Sequence, residues 1–199
     1  MVFIYLASQS PRRRQILREM GIRFRVIPST YREEACQGLS PARLVVKHAV
    51  GKVRKAKAPE KGVPILGADT IVYCRRKIFG KPKTRQEAHQ MIRALSGRTH
   101  FVYTGGALWD PERKKIFSGY AKTTVFFKKL SGRQIRSYLR RVNPLDKAGS
   151  YAAQERSRVV RILKGSYSNV VGLPKELVAR LLSQCKVKYN DTSRKERKA

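Results

Sequence analysis

Apolar residues occur along this chain in short blocks whose spacing switches between two periods. Val2 to Ala7 is a near-continuous apolar run, the pattern of a strand covered on both faces. Ile16, Leu17 and Met20 then recur at helical spacing, so a helix is predicted over Pro11–Met20, stopped by Gly21. Ile22–Ile27 reads as a second strand, and Leu44, Val45, Ala49 and Val53 mark a second helix after Ser40-Pro41. Val63–Tyr73 is a further apolar run, with Arg75–Lys77 as a hairpin turn into Ile78 and Phe79. Thr84-Arg85-Gln86-Glu87 has capping-box spacing ahead of Ala88, Met91, Ile92 and Leu95. His100–Trp109 and Lys115–Phe127 read as long antiparallel strands around Asp110-Pro111. A helix follows Ser131 with Ile135, Tyr138, Leu139 and Val142 inward, then a short strand at Val159–Leu163. Gly165–Leu173 reads as a loop, and Leu177, Val178, Leu181 and Leu182 mark a last helix after Pro174. The alternation predicts an α/β fold, with parallel units first and an antiparallel ribbon in the middle.

The first strand-to-helix turn is also a chemical feature. In L-A-S-Q-S-P-R-R (Leu6–Arg13), Ser10 fits the N-cap position and Pro11 the first helical position. The helix start supplies free N–H groups and the positive end of the dipole, and Arg12 and Arg13 add forked cations. This is a cradle for phosphate. A second feature is Gly67-Ala68-Asp69-Thr70, where a lone carboxylate, Asp69, ends an apolar run behind two small residues. A phosphate cradle with an isolated carboxylate suggests metal-assisted phosphate chemistry.

Composition sharpens this reading. The chain has 199 residues, 41% of them hydrophobic, enough for one sizeable core or two lobes. The three cysteines (Cys36, Cys74, Cys185) show no C-x-x-C spacing, which argues against a disulfide framework or a zinc site. No apolar stretch is long enough to cross a membrane, and the expected location is the cytoplasm. Lys and Arg number 45 against 13 Asp and Glu, a net charge of +32 that attracts polyanions of any kind. The charge is distributed along the chain, and the sequence shows no aromatic-interleaved basic ribbon of the RNA-recognition type, so a nucleic-acid partner is not favoured.

Other candidates come from local context. Glu33 and Glu34 are loop acids that could add hard oxygen ligands for Mg²⁺, although solvated acids have the same spacing. Lys52 and Lys81 could touch phosphate, Lys81 being set between Gly80 and Pro82. Asp146–Tyr151, followed by Gln154, reads as a binding loop rather than core. His48 and His89 are read as helix-surface residues and His100 as a strand-end residue. Neither G-x-x-x-x-G-K-[ST] nor G-x-G-x-x-G is present, so a nucleotide would need another cradle.

Taken in order, L-A-S-Q-S-P-R-R, Glu33, Lys52, G-A-D-T, G-K-P, L-S-G-R-T-H (Leu95–His100), D-K-A-G-S-Y and S-Y-S-N-V-V-G-L-P (Ser166–Pro174) resemble the Maf family of nucleoside triphosphate pyrophosphatases over about 170 residues. The resemblance implies an inosine-triphosphatase-like α/β fold, a mixed, elongated sheet flanked by helices with a cleft between two lobes, often as a homodimer. Its span would be residues 1–185, followed by a basic tail over 186–199. It implies cleavage between the α- and β-phosphates with a divalent metal, Mg²⁺ or Mn²⁺. Asp69 matches the family's catalytic base, and Arg12, Thr70 and Gln154 its specificity positions. Ser8, Arg13, Lys52 and Lys81 match phosphate- and substrate-binding positions, and Glu33 with Asp69 the metal-holding acids. A-D-T with D-K-A-G-x-Y resembles the dTTP/UTP-cleaving subgroup. The alternatives are the 7-methyl-GTP-cleaving subgroup and a non-catalytic nucleotide- or nucleic-acid-binding protein. One departure is Glu155, where the family usually has glycine.

Overall fold

The computed structural model describes residues 3–33, 38–153 and 159–186. Glu34, Gln154, Glu155 and the tail beyond Lys186 lie outside the described residues. The strands are β1 (Phe3–Leu6), β2 (Arg23–Val26), β3 (Ile65–Cys74), β4 (Lys77–Phe79), β5 (Thr99–Asp110), β6 (Lys115–Phe127) and β7 (Val160–Lys164). The helices are α1 (Pro11–Glu19), α2 (Pro41–Arg54), α3 (Arg85–Leu95), α4 (Gly132–Arg141), α5 (Tyr167–Val171) and α6 (Lys175–Gln184). They flank a seven-stranded mixed sheet in the order β2-β1-β3-β5-β6-β7, with β4 paired to β3. β1 runs parallel to β2 (Leu6 opposite Val26) and to β3 (Leu6 opposite Leu66). β6 runs antiparallel to β7. Among the described residues, no helix is long and apolar enough to cross a membrane.

The helix ends follow the local chemistry. Ser10, Ser40, Thr84 and Ser131 each cap a helix by accepting a backbone N–H three residues on. The reciprocal capping box forms at Ser131 and Gln134. At Thr84 it does not close in that way, because the Glu87 carboxylate accepts instead from the Lys83 N–H at 2.7 Å. The stretch predicted as a loop over Gly165–Leu173 contains a single helical turn, α5. Gly165 (φ 110°) and Gly172 (φ 117°) bracket it in a conformation that favours glycine.

The chain divides into two compact units, with breaks within β3 (after Asp69), within β5 (after Tyr103), within β6 (after Ala121) and after Val171. The first comprises Met1–Asp69, Thr104–Ala121 and Gly172–Ala199. Its core joins Tyr5, Ala7 and Ile27 to Ala49 and Val53 of α2 and Ala107 of β5. Here α2 lies against the bare backbone of the sheet. A Cβ on Gly105 would collide with the Val45 carbonyl, and one on Gly67 would sit 2.7 Å from the Ala49 carbonyl. On the other face, Gly106 admits Leu177 and Leu181 of α6.

The second unit comprises Thr70–Tyr103 and Lys122–Val171. Its core packs Ala88, Ile92 and Leu95 of α3 and Ile135, Tyr138 and Leu139 of α4 against Val72, Val102, Val125 and Phe127. The predicted binding loop at Asp146–Tyr151 is in part core. Gly149, Ser150 and Tyr151 are buried, and the Ser150 hydroxyl reaches Met91 Sδ at 3.2 Å. Short side chains there let the backbone fold into a tight turn beneath α3. His100 is likewise no strand-end residue. It is fully buried, its Nε2 is 2.8 Å from the Tyr151 hydroxyl, and burial pushes its pKa down to about 4.

Gly105→Ala should cost about 3 kcal/mol, because a helix carbonyl cannot step aside. Gly132→Ala, at the exposed start of α4, should gain roughly 0.5 kcal/mol; denaturant unfolding of both variants separates the two effects. The neutral His100 contributes stability that is fully present above its unfolded pKa of about 6.5 and lost as pH falls toward 4. Between pH 7 and pH 4 the wild type should lose about 3 kcal/mol more than His100→Asn, measured by urea unfolding at both pH values.

Candidate active site

The first unit gathers six of the predicted site residues: Ser8, Arg12, Arg13, Glu33, Lys52 and Asp69. β1 ends at Leu6, the chain turns through Ser8 and Ser10, and α1 begins at Pro11. The Ser8 hydroxyl accepts from the Ser10 N–H and, at 3.0 Å, from a terminal nitrogen of Arg13. The Arg13 Nε donates to the Gly172 carbonyl at 2.9 Å. Arg13 is thereby held in one place, its planar fork anchored at two points. Burial lowers its pKa, against the raising effect of Asp69 and Glu33, and a guanidinium remains protonated throughout.

Asp69 lies within β3 and is 5% exposed. A buried carboxylate needs a partner. Lys52, on the last turn of α2, provides one: its Nζ is 2.7 Å from Asp69 Oδ1 and 3.2 Å from the Ala68 carbonyl. The same ammonium lies 2.5 Å from Glu33 Oε1. One cation is thus shared by two carboxylates, one buried and one about half exposed. Burial pushes the Asp69 carboxyl up, but Lys52, by charge and hydrogen bond, and then Arg13 and His48 together outweigh it. The net result is a carboxyl below the usual carboxylate range, ionised at neutral pH.

Glu33 reaches Lys52 because its loop is laid along α2. The Ser29 hydroxyl donates to the Lys52 carbonyl at 2.8 Å, the Thr30 N–H to Lys55, and Ser29 bridges to Ala56. Tyr31 packs where Gly51 leaves no side chain, and its hydroxyl is 3.0 Å from His48 Nδ1. Sequence reasoning missed this support. His48 was expected on the helix surface and is buried, because Tyr31 covers it. The signal was available in Gly51, a glycine inside a helix with a bulky aromatic to accommodate. Gly172, whose carbonyl holds Arg13, lies far away in the sequence and carried no local signal.

The second unit carries Thr70 and Lys81. Thr70 follows Asp69 in β3 and is partly exposed, and Lys81 is exposed. The Gly80 carbonyl accepts from the Gly149 N–H at 3.0 Å, tying G-K-P to D-K-A-G-S-Y. Lys147 is engaged locally by Asp146 and the Asn143 carbonyl. Gln154 lies outside the described residues. Among the described residues, no three His, Cys, Asp or Glu side chains converge as a metal cage. Glu33 and Asp69 converge on the Lys52 ammonium, and their carboxylate oxygens are of the hard type that Mg²⁺ takes together with phosphates and water.

The chain is similar to known proteins over most of its length. The family model described as Maf-like protein matches residues 3–185. A protein from Geobacter sp. (strain M21) is 47% identical over 172 residues, 86% of this chain and 89% of its own length. One from Pelotomaculum thermopropionicum is 41% identical over 182 residues, 91% and 95% of the two chains. One from Methanosarcina barkeri is 38% identical over 186 residues, 92% and 94%. All three are named dTTP/UTP pyrophosphatase. With the match spanning both units and every described site position, the chain belongs to the Maf-like protein family.

Proposed function

We propose that this chain hydrolyses dTTP and UTP between the α- and β-phosphates, releasing the nucleoside monophosphate and pyrophosphate. The observation that carries the reading is the buried Asp69 carboxylate, held ionised by an ammonium it shares with Glu33, beside the anchored Arg13 fork. The names of the relatives supply the substrate class.

The chemistry divides among the residues. Water attacks the α-phosphorus, the bond to the bridging oxygen breaks, and pyrophosphate leaves. Asp69 accepts the water's proton, which its ionised state at neutral pH permits. Ser8, Arg12, Arg13 and the N–H groups opening α1 hold the triphosphate so that the α-phosphorus faces that water. Lys52 keeps the base charged and in place, and Lys81 adds a phosphate contact. Arg12, Thr70 and Gln154 select the base. Glu33 and Asp69 offer hard-oxygen donors of the type that Mg²⁺ or Mn²⁺ takes, and would hold such an ion beside the Lys52 ammonium that both carboxylates contact. Such an ion, when bound, supplies neutralisation of the charge that develops on the phosphates.

Pyrophosphate release from dTTP, UTP, CTP, 7-methyl-GTP and ITP with Mg²⁺ or Mn²⁺ tests the reading. The expected result is preference for dTTP and UTP, with Asp69→Asn slower by about 10²–10⁴-fold while its circular dichroism is unchanged. Release from no nucleotide, or near-normal turnover in the variant, would overturn it. The state of the base has its own test, carbon NMR of the Asp69 carboxyl against pH. A depressed folded pKa means this group adds stability above its unfolded value of about 4, lost as pH falls through the folded value. In Lys52→Met the burial effect prevails, and the midpoint should move above the usual carboxylate range.

A further inference from the structure

Among the described residues of the second unit, the sheet has a core face and a face that the core does not use. Alternation along β5 turns His100 and Val102 inward and leaves Phe101 and Tyr103 partly exposed on the other side. Along β6 it turns Thr123, Val125 and Phe127 inward and Lys122, Thr124 and Phe126 outward. The outward residues form an organised cluster. Phe101 and Tyr103 have ring centroids 6.5 Å apart, and Tyr73 of β3 meets Tyr103 edge-on at 6.3 Å. Lys122 Nζ sits 4.1 Å from the Phe101 centroid and 5.6 Å from that of Tyr103. One strand further on, Arg161 of β7 lies opposite Phe126 with its guanidinium 5.9 Å from the ring.

We infer that this face is a binding platform for single-stranded nucleic acid. Flat aromatic rings on a sheet offer stacking surfaces for unpaired bases, and cations beside them meet the phosphates between bases. Charge points to the same occupant. The stretches that make up this unit carry 20 Lys and Arg against three acids (Glu87, Asp146 and Glu155). A surface built to meet an ordinary protein mixes signs; this unit attracts polyanions almost exclusively. A polyanion without bases would have no use for the rings. A double strand keeps its bases stacked out of reach. The face therefore fits a single strand, with the cations now capping Phe101, Tyr103 and Phe126 free to swing onto phosphates as bases take their places.

The test is fluorescence anisotropy with a fluorescein-labelled oligo(dT) of 20 nucleotides, titrated with full-length protein at several salt concentrations. The Phe101→Leu/Tyr103→Leu double variant keeps the surface apolar and removes the rings; circular dichroism checks its fold. Binding that weakens with salt, and falls about tenfold or more in the double variant, is the expected result. Lys122→Gln should reduce the salt slope by about one ion. Heparin should compete with the wild type and the double variant alike, and pyrophosphate release from dTTP should be unchanged in the double variant. Four results would each overturn the inference. These are absence of binding near physiological salt, equal affinity in the double variant, equally tight binding of the paired duplex, and displacement of the oligonucleotide by dTMP, which would place it in the nucleotide site. Self-association that the double variant abolishes, with oligonucleotide binding intact, would instead make the face a contact between copies.

Discussion

The candidate active site depends on one ammonium placed between two carboxylates. Asp69 cannot be buried as an anion unless a cation accompanies it, and Lys52 provides that cation from the last turn of α2. Removing one member of a buried pair typically costs about 3–5 kcal/mol, because the other is left charged in a poor solvent. The position of α2 on the sheet is therefore coupled to the charge state of the base. Glu33 adds a second, more exposed contact to the same nitrogen, which draws its loop toward the buried carboxylate.

That placement rests on missing side chains. Gly67 and Gly105 let the Ala49 and Val45 carbonyls approach the sheet backbone, which brings α2 close enough for Lys52 to reach Asp69. Gly51 does the same for the opposite surface of α2, where Tyr31 settles and ties down the loop that carries Glu33. Close backbone packing thus sets the geometry of charged groups. Arg13 belongs to the same system: two hydrogen bonds hold its fork, and its charge contributes to keeping Asp69 ionised.

The charge of the chain acquires a shape in the second unit. A net +32 spread along a sequence promises only general attraction to anions. Placed beside Tyr73, Phe101, Tyr103 and Phe126 on one sheet face, part of it becomes an arrangement with chemical preferences. Cations resting on aromatic rings are only partly desolvated, so they can be exchanged for a ligand's own contacts at modest cost.

By itself the sequence determined what depends on neighbours in the chain. Hydrophobic period, caps and glycine stops placed nearly every strand and helix, and Ser10-Pro11 marked the start of α1 because capping is a matter of three or four residues. The ordered motifs also named the site residues by type: a lone acid after a strand, arginines at a helix start. The tertiary structure alone decided which of them meet. Glu33, Lys52 and Asp69 are separated by up to 36 positions, and only a helix lying on glycines brings them onto one nitrogen. His48 and His100 were misplaced for the same reason, since Tyr31 and Tyr151 cover them from other elements. The aromatic face was invisible in one dimension because its rings come from β3, β5 and β6, and strand pairing, which joins residues far apart in sequence, is the interaction that local pattern does not encode.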